Sequence, residues 1–174
     1  MPAWIAVALS VVAMAVSPAG AAKPGVHLRA PADVDGARIR AADREPGEWM
    51  ALGRTYEDQR FSQLTQINPK SITRLGLAWS ADLNTYRGAE GTPIEVDGVL
   101  YNTSAWNLTT AYDAATGKVL WVYDPKVPLQ FGRKACCDIV SRGLSVWRGK
   151  VLIATLDGRL IALNARTGRP VCAS

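Results

Sequence analysis

Cysteine is the residue type whose placement most restricts the chemistry of this chain. Cys136 and Cys137 are adjacent, and Cys172 lies near the C-terminal end. In an oxidising compartment these cysteines can form a disulfide. The alternative for the adjacent pair is two free thiols in a protein core. The chain has no C-x-x-C-H sequence for covalent haem attachment. Its single histidine, His27, excludes histidine-based triads and most zinc hydrolase sites.

The N-terminal residues indicate export to such a compartment. An apolar run over residues 3–16 is followed by Ala19-Gly20-Ala21, which has the small-x-small form of a cleavage site. The run is shorter than the roughly 20 residues that cross a bilayer. An uncleaved anchor is the alternative, because no Lys or Arg precedes the run. The sequence predicts a signal peptide over residues 1–22, a periplasmic location and no stable membrane span.

Composition is ordinary for a globular protein. The chain has 174 residues, of which 48% are hydrophobic and 20% charged, so it is long enough for one core of moderate size. Its net charge of +5 is scattered without a basic run. We therefore expect one folded domain and no nucleic-acid partner.

An internal repeat organises the second half of the chain. Residues 97–121 and 148–172 align without a gap at an offset of 51 residues. Self-similarity at this period is typical of propellers and solenoids. The identical pairs are Gly98 and Gly149, Ala111 and Ala162, Ala114 and Ala165, Thr116 and Thr167, and Gly117 and Gly168.

Each copy reads as short β-strands. In the second copy, strands over 150–156 and 159–164 flank Asp157-Gly158, a pair typical of a two-residue type I′ turn. In the first copy, strands over 99–103 and 108–112 flank Trp106-Asn107, which predicts a longer or irregular loop. Both copies then have an Asp/Asn-Ala-x-Thr-Gly turn, in which glycine takes the left-handed position, and a final strand.

The residues before the repeat are less regular. Residues 23–45 are rich in Ala, Pro, Asp and Arg without periodicity, which predicts an extended lead-in, with the folded part beginning near Gly47. Residues 64–79 contain apolar positions that lead to Trp79, which predicts the outer strand of a first blade.

The repeat consensus, Ala-x-Asp/Asn-Ala-x-Thr-Gly-x-x-x-Trp, resembles the tryptophan docking motif of the pyrroloquinoline quinone (PQQ) alcohol dehydrogenases. The resemblance covers residues 46–172 and implies an all-β fold, a partial eight-bladed propeller with about three blades of four-stranded antiparallel sheet. It implies that buried indoles join the blades, with Cys172 where the second copy expects Trp. The implied docking residues are Trp79, Trp121, Gly117 and Gly168.

The same resemblance implies a cofactor site. The segment Ala-Cys-Cys-Asp-Ile-Val-Ser-Arg-Gly over residues 135–143 is similar to the family segment in which adjacent cysteines form a disulfide against the quinone face. Cys136 and Cys137 are thus expected to form this ring, and Arg142 to contact the polar rim of PQQ. Ser141 replaces the usual asparagine. Glu90 resembles the family glutamate that hydrogen-bonds the cofactor.

Further expectations follow from the family alone. The implied reaction oxidises a primary alcohol to an aldehyde, with PQQ and calcium as cofactors and a cytochrome c or quinone acceptor in another chain or domain. The family's calcium ligands and catalytic aspartate belong to later blades, so no metal ligand and no catalytic residue is assigned to this chain. It is expected to be an N-terminal fragment that is inactive alone.

Two alternatives lead to other functions. One is a non-catalytic propeller scaffold with PQQ-like repeats, which does not explain the paired cysteines, Glu90 and Arg142. The other is a sugar-oxidising quinoprotein, in which adjacent cysteines are not expected. The paired cysteines favour the alcohol dehydrogenase interpretation over both.

Overall fold

The computed structural model describes residues 30–83, 85–135 and 137–171, and it contains two antiparallel sheets. Each sheet has its strands in sequential order, so each is a simple meander. The first sheet consists of β1 (Ile94–Val96), β2 (Val99–Thr103), β3 (Thr109–Asp113) and β4 (Val119–Tyr123), and the second of β5 (Ser145–Trp147), β6 (Lys150–Ala154) and β7 (Leu160–Asn164).

The two sheets repeat the same strand pairing. Val99 lies opposite Asp113 in the first sheet, and Lys150 lies opposite Asn164 in the second. Each of these positions differs from its counterpart by the period of the sequence repeat. The all-β prediction is confirmed. The described residues form two sheets, with four and three strands, rather than the three four-stranded blades that were expected.

The loop between β2 and β3 is irregular, as its sequence predicted. Ala105–Asn107 forms a single 3₁₀ turn, and the Ser104 N–H donates to the Leu108 carbonyl at 2.9 Å to close the loop. Trp106 and Asn107 both have a φ angle of 60°. This left-handed conformation costs a non-glycine residue about 1–2 kcal/mol, so the fold must hold it in place.

The turn between β6 and β7 is not the predicted type I′ turn. The Gly158 N–H donates to the Thr155 carbonyl at 2.9 Å, and the Thr155 N–H donates to the Arg159 carbonyl at 2.9 Å. Within this turn, all of which is described, only Gly158 has a positive φ, of 85°. A type I′ turn needs two such residues, so this is a three-residue loop ending in a left-handed glycine.

Two tryptophans pack in the same way against the turns that follow β3 and β7. The Trp79 Nε1–H donates to the Ala114 carbonyl at 3.0 Å, and the Trp121 Nε1–H donates to the Ala165 carbonyl at 2.9 Å. The turn glycines leave room for the indoles. A Cβ atom on Gly117 would lie 2.5 Å from Trp79, and one on Gly168 would lie 2.6 Å from Trp121.

Residues 64–79 are not a strand, so that prediction is wrong. They contain one 3₁₀ turn, Ile72–Arg74, and otherwise run without strand pairing to any described residue. Leu75 and Leu77 are 61% and 84% exposed. The apolar positions that suggested a strand are present, but a strand needs a neighbour, and no described strand lies beside this one.

Residues 30–45 belong to the folded unit, so the prediction of an extended lead-in with folding from Gly47 is wrong. A short helix, α1 (Gly36–Arg40), begins after Asp35, whose carboxylate accepts a hydrogen bond from the Arg38 N–H at 2.8 Å. A 3₁₀ turn, Ala42–Arg44, follows. This N-cap hydrogen bond stabilises the first turn of α1. The sequence of α1 has no apolar periodicity from which the helix could have been predicted.

The lead-in is anchored to the second sheet by its backbone. The Arg148 N–H donates to the Val34 carbonyl, and the Gly149 N–H donates to the Ala32 carbonyl, both at 2.8 Å. Ala32 and Val34 are fully buried. The core therefore contains the lead-in together with residues of both sheets, among them Val96, Tyr101, Val151 and Leu163.

A buried ionic cluster attaches the lead-in to the first sheet. Arg38 is 7% exposed and binds two carboxylates, with Nη2 at 2.7 Å from Asp97 and 2.7 Å from Glu45. Its Nη1 also donates to the Asp33 carbonyl at 3.2 Å, and Asp97 accepts from the Ala32 N–H at 3.1 Å. All these partners satisfy a guanidinium that would otherwise be costly to bury.

The predicted signal peptide and Cys172 lie outside the described residues. The signal peptide and the placement of Cys172 at the docking position of the second copy therefore stay predictions. In the described part of the chain, the helices are too short or too polar to span a bilayer.

Candidate functional site

The first strands of the two sheets start side by side. Thr92 and Gly143 form a parallel bridge, and the Thr92 N–H donates to the Arg142 carbonyl at 3.4 Å. Thr92 precedes β1 and Gly143 precedes β5, so both strands begin at the same end of the molecule. The bridge therefore brings residues 88–92 next to residues 137–143, the two segments in which the sequence placed its site residues.

Glu90 and Arg142 meet at this junction. The distance from Arg142 Nη2 to Glu90 Oε2 is 3.7 Å, and the two side chains are 77% and 47% exposed for Arg142 and Glu90, respectively. An ion pair this exposed contributes little to stability, because solvent screens it. Both charged groups therefore remain accessible to a polar ligand.

Gly91 allows the two segments to approach each other. A Cβ atom at this position would lie 2.8 Å from the Thr103 carbonyl, 2.9 Å from Thr103 Oγ1 and 3.2 Å from the Ser141 carbonyl. Thr103 is 1% exposed, and its Oγ1 has no hydrogen-bond partner among the described residues. The sequence did not single out Gly91 or Thr103, since neither has a distinctive neighbourhood in the chain.

The second segment carries the described member of the cysteine pair. Cys137 is exposed and is followed by Asp138, which has a left-handed φ of 73°. The Asp138 carboxylate accepts from the Ile139 N–H at 2.8 Å and from Arg87 Nη1 at 3.2 Å. Cys136 lies outside the described residues, so the predicted disulfide stays a prediction.

The Arg87 and Asp138 pair was missed in the sequence, although a signal existed. The two residues are 51 positions apart, which is the period of the repeat. Thr92 and Gly143 have the same separation. Residues one period apart occupy equivalent places on neighbouring sheets, so at the start of the first strands they lie next to each other.

A groove of about 550 Å³ opens beside the two segments. Thr92, Ser141 and Arg142 contribute to its wall, together with Asn107 and Leu156 from the two hairpin loops. Its volume is within the range of small-molecule sites. The wall of the groove thus includes a cationic side chain, Arg142, and an apolar hairpin residue, Leu156.

The chain matches the family model of the PQQ glucose/ethanol/alcohol dehydrogenase β-propeller domain over residues 49–173. The chain belongs to the PQQ-dependent alcohol dehydrogenase family. This match and the solved structure of a family member confirm the partial β-propeller.

Individual members of the PQQ-dependent alcohol dehydrogenase family are similar over most of the chain. Quinohemoprotein alcohol dehydrogenase ADH-IIG of Pseudomonas putida is 49% identical over 161 residues, which are 92% of this chain and 22% of that protein. The dehydrogenase subunit of the alcohol dehydrogenase (quinone) of Gluconacetobacter polyoxogenes is 56% identical over 136 residues, 78% of this chain and 18% of that protein.

The solved structure of ADHIIG from Pseudomonas putida HK5 superposes with a TM-score of 0.81 and 51% identity. The superposition covers 83% of this chain and 21% of the solved chain. The chain therefore spans about a fifth of the length of the relatives that it matches.

A metal site is not evident in the part of the chain that the structure describes. No three His, Cys, Asp or Glu side chains among those residues are close enough to hold an ion together.

Proposed function

We propose that this chain forms the cofactor-facing part of a periplasmic PQQ-dependent alcohol dehydrogenase that oxidises primary alcohols to aldehydes. Family membership supports the chemistry, since the relatives are named as alcohol dehydrogenases. The main structural support is that Glu90 and Arg142 meet where both sheets begin, and that Arg142 belongs to the segment that carries Cys137. The periplasmic location rests on the predicted signal peptide.

The described residues fit the rim of PQQ, a planar ortho-quinone with three carboxylate groups. Arg142 offers an exposed guanidinium with a planar set of donors, which suits carboxylate and carbonyl oxygens. Glu90, 3.7 Å away, offers an acceptor for a protonated ring nitrogen or a bound water. When bound, PQQ accepts the hydride equivalent that leaves the alcohol carbon.

In this proposal, the residues of this chain bind PQQ and orient it. Arg142 fixes the oxygens of the cofactor rim, Glu90 holds its edge, and Cys136 and Cys137 form one wall of the pocket as a disulfide ring. The proposed calcium ion would be held by residues other than the described ones, because the described residues contain no suitable group. The proposed electron acceptor is a quinone or a cytochrome c.

A chimaera tests the proposal. This chain replaces the matching 161 residues of the Pseudomonas putida enzyme ADH-IIG, and the product is reconstituted with PQQ and calcium. We expect PQQ binding, measured by fluorescence quenching, and PQQ-dependent oxidation of a primary alcohol with an artificial acceptor. A folded chimaera that binds no PQQ would contradict the proposal and favour a scaffold function.

Variants of the chimaera test the residues. Glu90→Gln and Arg142→Met should each weaken PQQ binding about tenfold or more, because a hydrogen bond to a charged group contributes about 1.5–3 kcal/mol. Arg166→Met is the matched control, since Arg166 is exposed in the turn after β7, at the other end of the sheets. Equal affinities for all three variants would exclude a rim contact.

A further inference from the structure

The left-handed turn in the first hairpin loop contacts the cysteine segment. Trp106 and Asn107 both have a φ angle of 60°, which is rare for a tryptophan. Such conformations persist only where the surrounding structure enforces them, and they occur often at functional sites. Trp106 and Asn107 each contact residues outside the turn, and these contacts stabilise its left-handed conformation.

Trp106 binds residues on both sides of the cysteine pair. Its backbone N–H donates to the Ile139 carbonyl at 3.0 Å. A Cβ atom on Gly132 would lie 2.7 Å from Cη2 of Trp106 and 3.0 Å from Cγ2 of Ile139, so both side chains lie against Gly132. Gly132 precedes Cys136 and Cys137 in the chain, and Ile139 follows them. Trp106 thus contacts both flanks of the cysteine pair, Gly132 through its indole and Ile139 through its backbone amide.

Asn107 ties the same turn to the second sheet. It is 3% exposed, its Nδ2 donates to the Ala154 carbonyl at 3.2 Å, and its Oδ1 accepts from the Leu156 N–H at 3.0 Å. Ala154 ends β6, and Leu156 lies in the following turn. Both polar atoms of the side-chain amide therefore bond the neighbouring hairpin, and Asn107 also lines the groove to which Arg142 contributes.

We propose that Trp106 and Asn107 are positioning residues for the cofactor site, which set the place of residues 137–142 between the two sheets. Through Ile139, Trp106 holds the backbone that carries Cys137 on one side and Arg142 on the other, while Asn107 fixes the turn to the second sheet. The inference rests on the proposed function, because the positioned residues matter for PQQ. It adds two residues that do not themselves need to touch the cofactor.

Two measurements test the inference. In the full 174-residue chain, hydrogen exchange is followed at the backbone amides of positions 106 and 92, which donate to the carbonyls of Ile139 and Arg142. In the chimaera, the dissociation constant for PQQ is measured. Trp106→Phe and Asn107→Gly should speed exchange at both amides and weaken PQQ binding about tenfold or more. Asn107→Gly suits the left-handed backbone, so it removes the side-chain bonds without adding strain.

Trp121→Phe is the matched control, because the Trp121 indole also packs on a glycine, but it lies in β4 and its Nε1–H bonds the Ala165 carbonyl, away from the cysteine segment. It should lower the thermal midpoint and leave PQQ affinity and exchange at Thr92 unchanged. Variants of Trp106 and Asn107 that lower the midpoint like this control, while PQQ affinity stays within twofold, would overturn the positioning role.

Failure of the inference differs from failure of the proposed function. If the unsubstituted chimaera binds PQQ and the turn variants bind it equally well, only the inference fails. If the folded, unsubstituted chimaera binds no PQQ, the proposed function fails, and the cofactor role of the turn fails with it.

Discussion

Replacing Arg38 by methionine should lower the free energy of unfolding by about 3–5 kcal/mol. Removing one partner of a buried ion pair has this cost because the other charge is left without compensation. Met keeps much of the length of the arginine stem but cannot donate a hydrogen bond. The loss should therefore come from the charge and the hydrogen bonds rather than from a cavity.

The geometry of the cluster gives this magnitude. Arg38 donates to Asp97 from Nη1 at 3.1 Å and from Nη2 at 2.7 Å, and it donates to Glu45 from Nε and Nη2. The Asp97 side chain is only 4% exposed, so water cannot replace the guanidinium. Glu45, at 27% exposure, is partly hydrated in either case, so most of the cost falls on Asp97.

Urea unfolding followed by circular dichroism measures the effect, provided that the slope with urea stays constant between variants. Arg60→Met is the matched control, because Arg60 and Asp58 form a pair at 3.3 Å that is 63% and 57% exposed, and it should cost less than about 1 kcal/mol. Adding Asp97→Asn to Arg38→Met should recover about 2 kcal/mol, since the unpaired charge is gone.

A loss of stability in Arg38→Met no larger than that in Arg60→Met would contradict this prediction. So would a failure of Asp97→Asn to recover stability in the Arg38→Met background, because the cost would then not come from an unpaired carboxylate.

Three other predictions concern glycines and one carboxyl group. Gly91→Ala should break the junction of the two site segments, because its Cβ would lie 2.8 Å from a backbone oxygen, and PQQ affinity in the chimaera should fall about tenfold or more; unchanged affinity would contradict this. Gly168→Ala should lower the free energy of unfolding by about 2–4 kcal/mol, because the residue has a φ of 67° and its Cβ would lie 2.6 Å from Trp121; a loss below about 1 kcal/mol in urea unfolding would argue against tight docking. Burial, and then repulsion from Glu48, raises the pKa of Glu95 from 4.5 to about 7. The folded state binds the proton of the Glu95 carboxyl more tightly than the unfolded state, so ionisation of Glu95 destabilises the fold increasingly as pH rises from about 4.5 to 7. The free energy of unfolding of Glu95→Gln should therefore rise by up to about 3 kcal/mol relative to the parent between about pH 5 and pH 8. A difference between the two proteins that does not change with pH would contradict this prediction.

The sequence predicted those features that depend on neighbouring residues. The repeat located both hairpins, because strand alternation and turn residues are local signals. The left-handed glycines Gly117 and Gly168 were predicted from the turn consensus, and the structure gives them φ angles of 71° and 67°. The loop at Trp106-Asn107 was predicted to be irregular from its unusual residue pair.

Features that depend on distant residues were not predictable in the same way. Arg38 meets Asp97 across 59 positions, so a lead-in without periodicity gave no sign of being folded. Residues 64–79 have a strand-like pattern, but pairing depends on a neighbouring strand rather than on the pattern itself. Family resemblance assigned Glu90 and Arg142 to the same cofactor, and the repeat period alone would have suggested the neighbouring contact of Arg87 with Asp138.

Docking of each indole on a later turn has a consequence for synthesis on the ribosome. Trp79 packs on Gly117 and Trp121 on Gly168. Each indole can therefore dock only after a glycine about 40–50 residues later in the chain has been translated. At 5–20 residues per second, this delay is about 2–10 seconds. Each unit therefore emerges with an uncovered aromatic surface until the next one is made, and during that interval chaperones would compete with folding for the nascent chain.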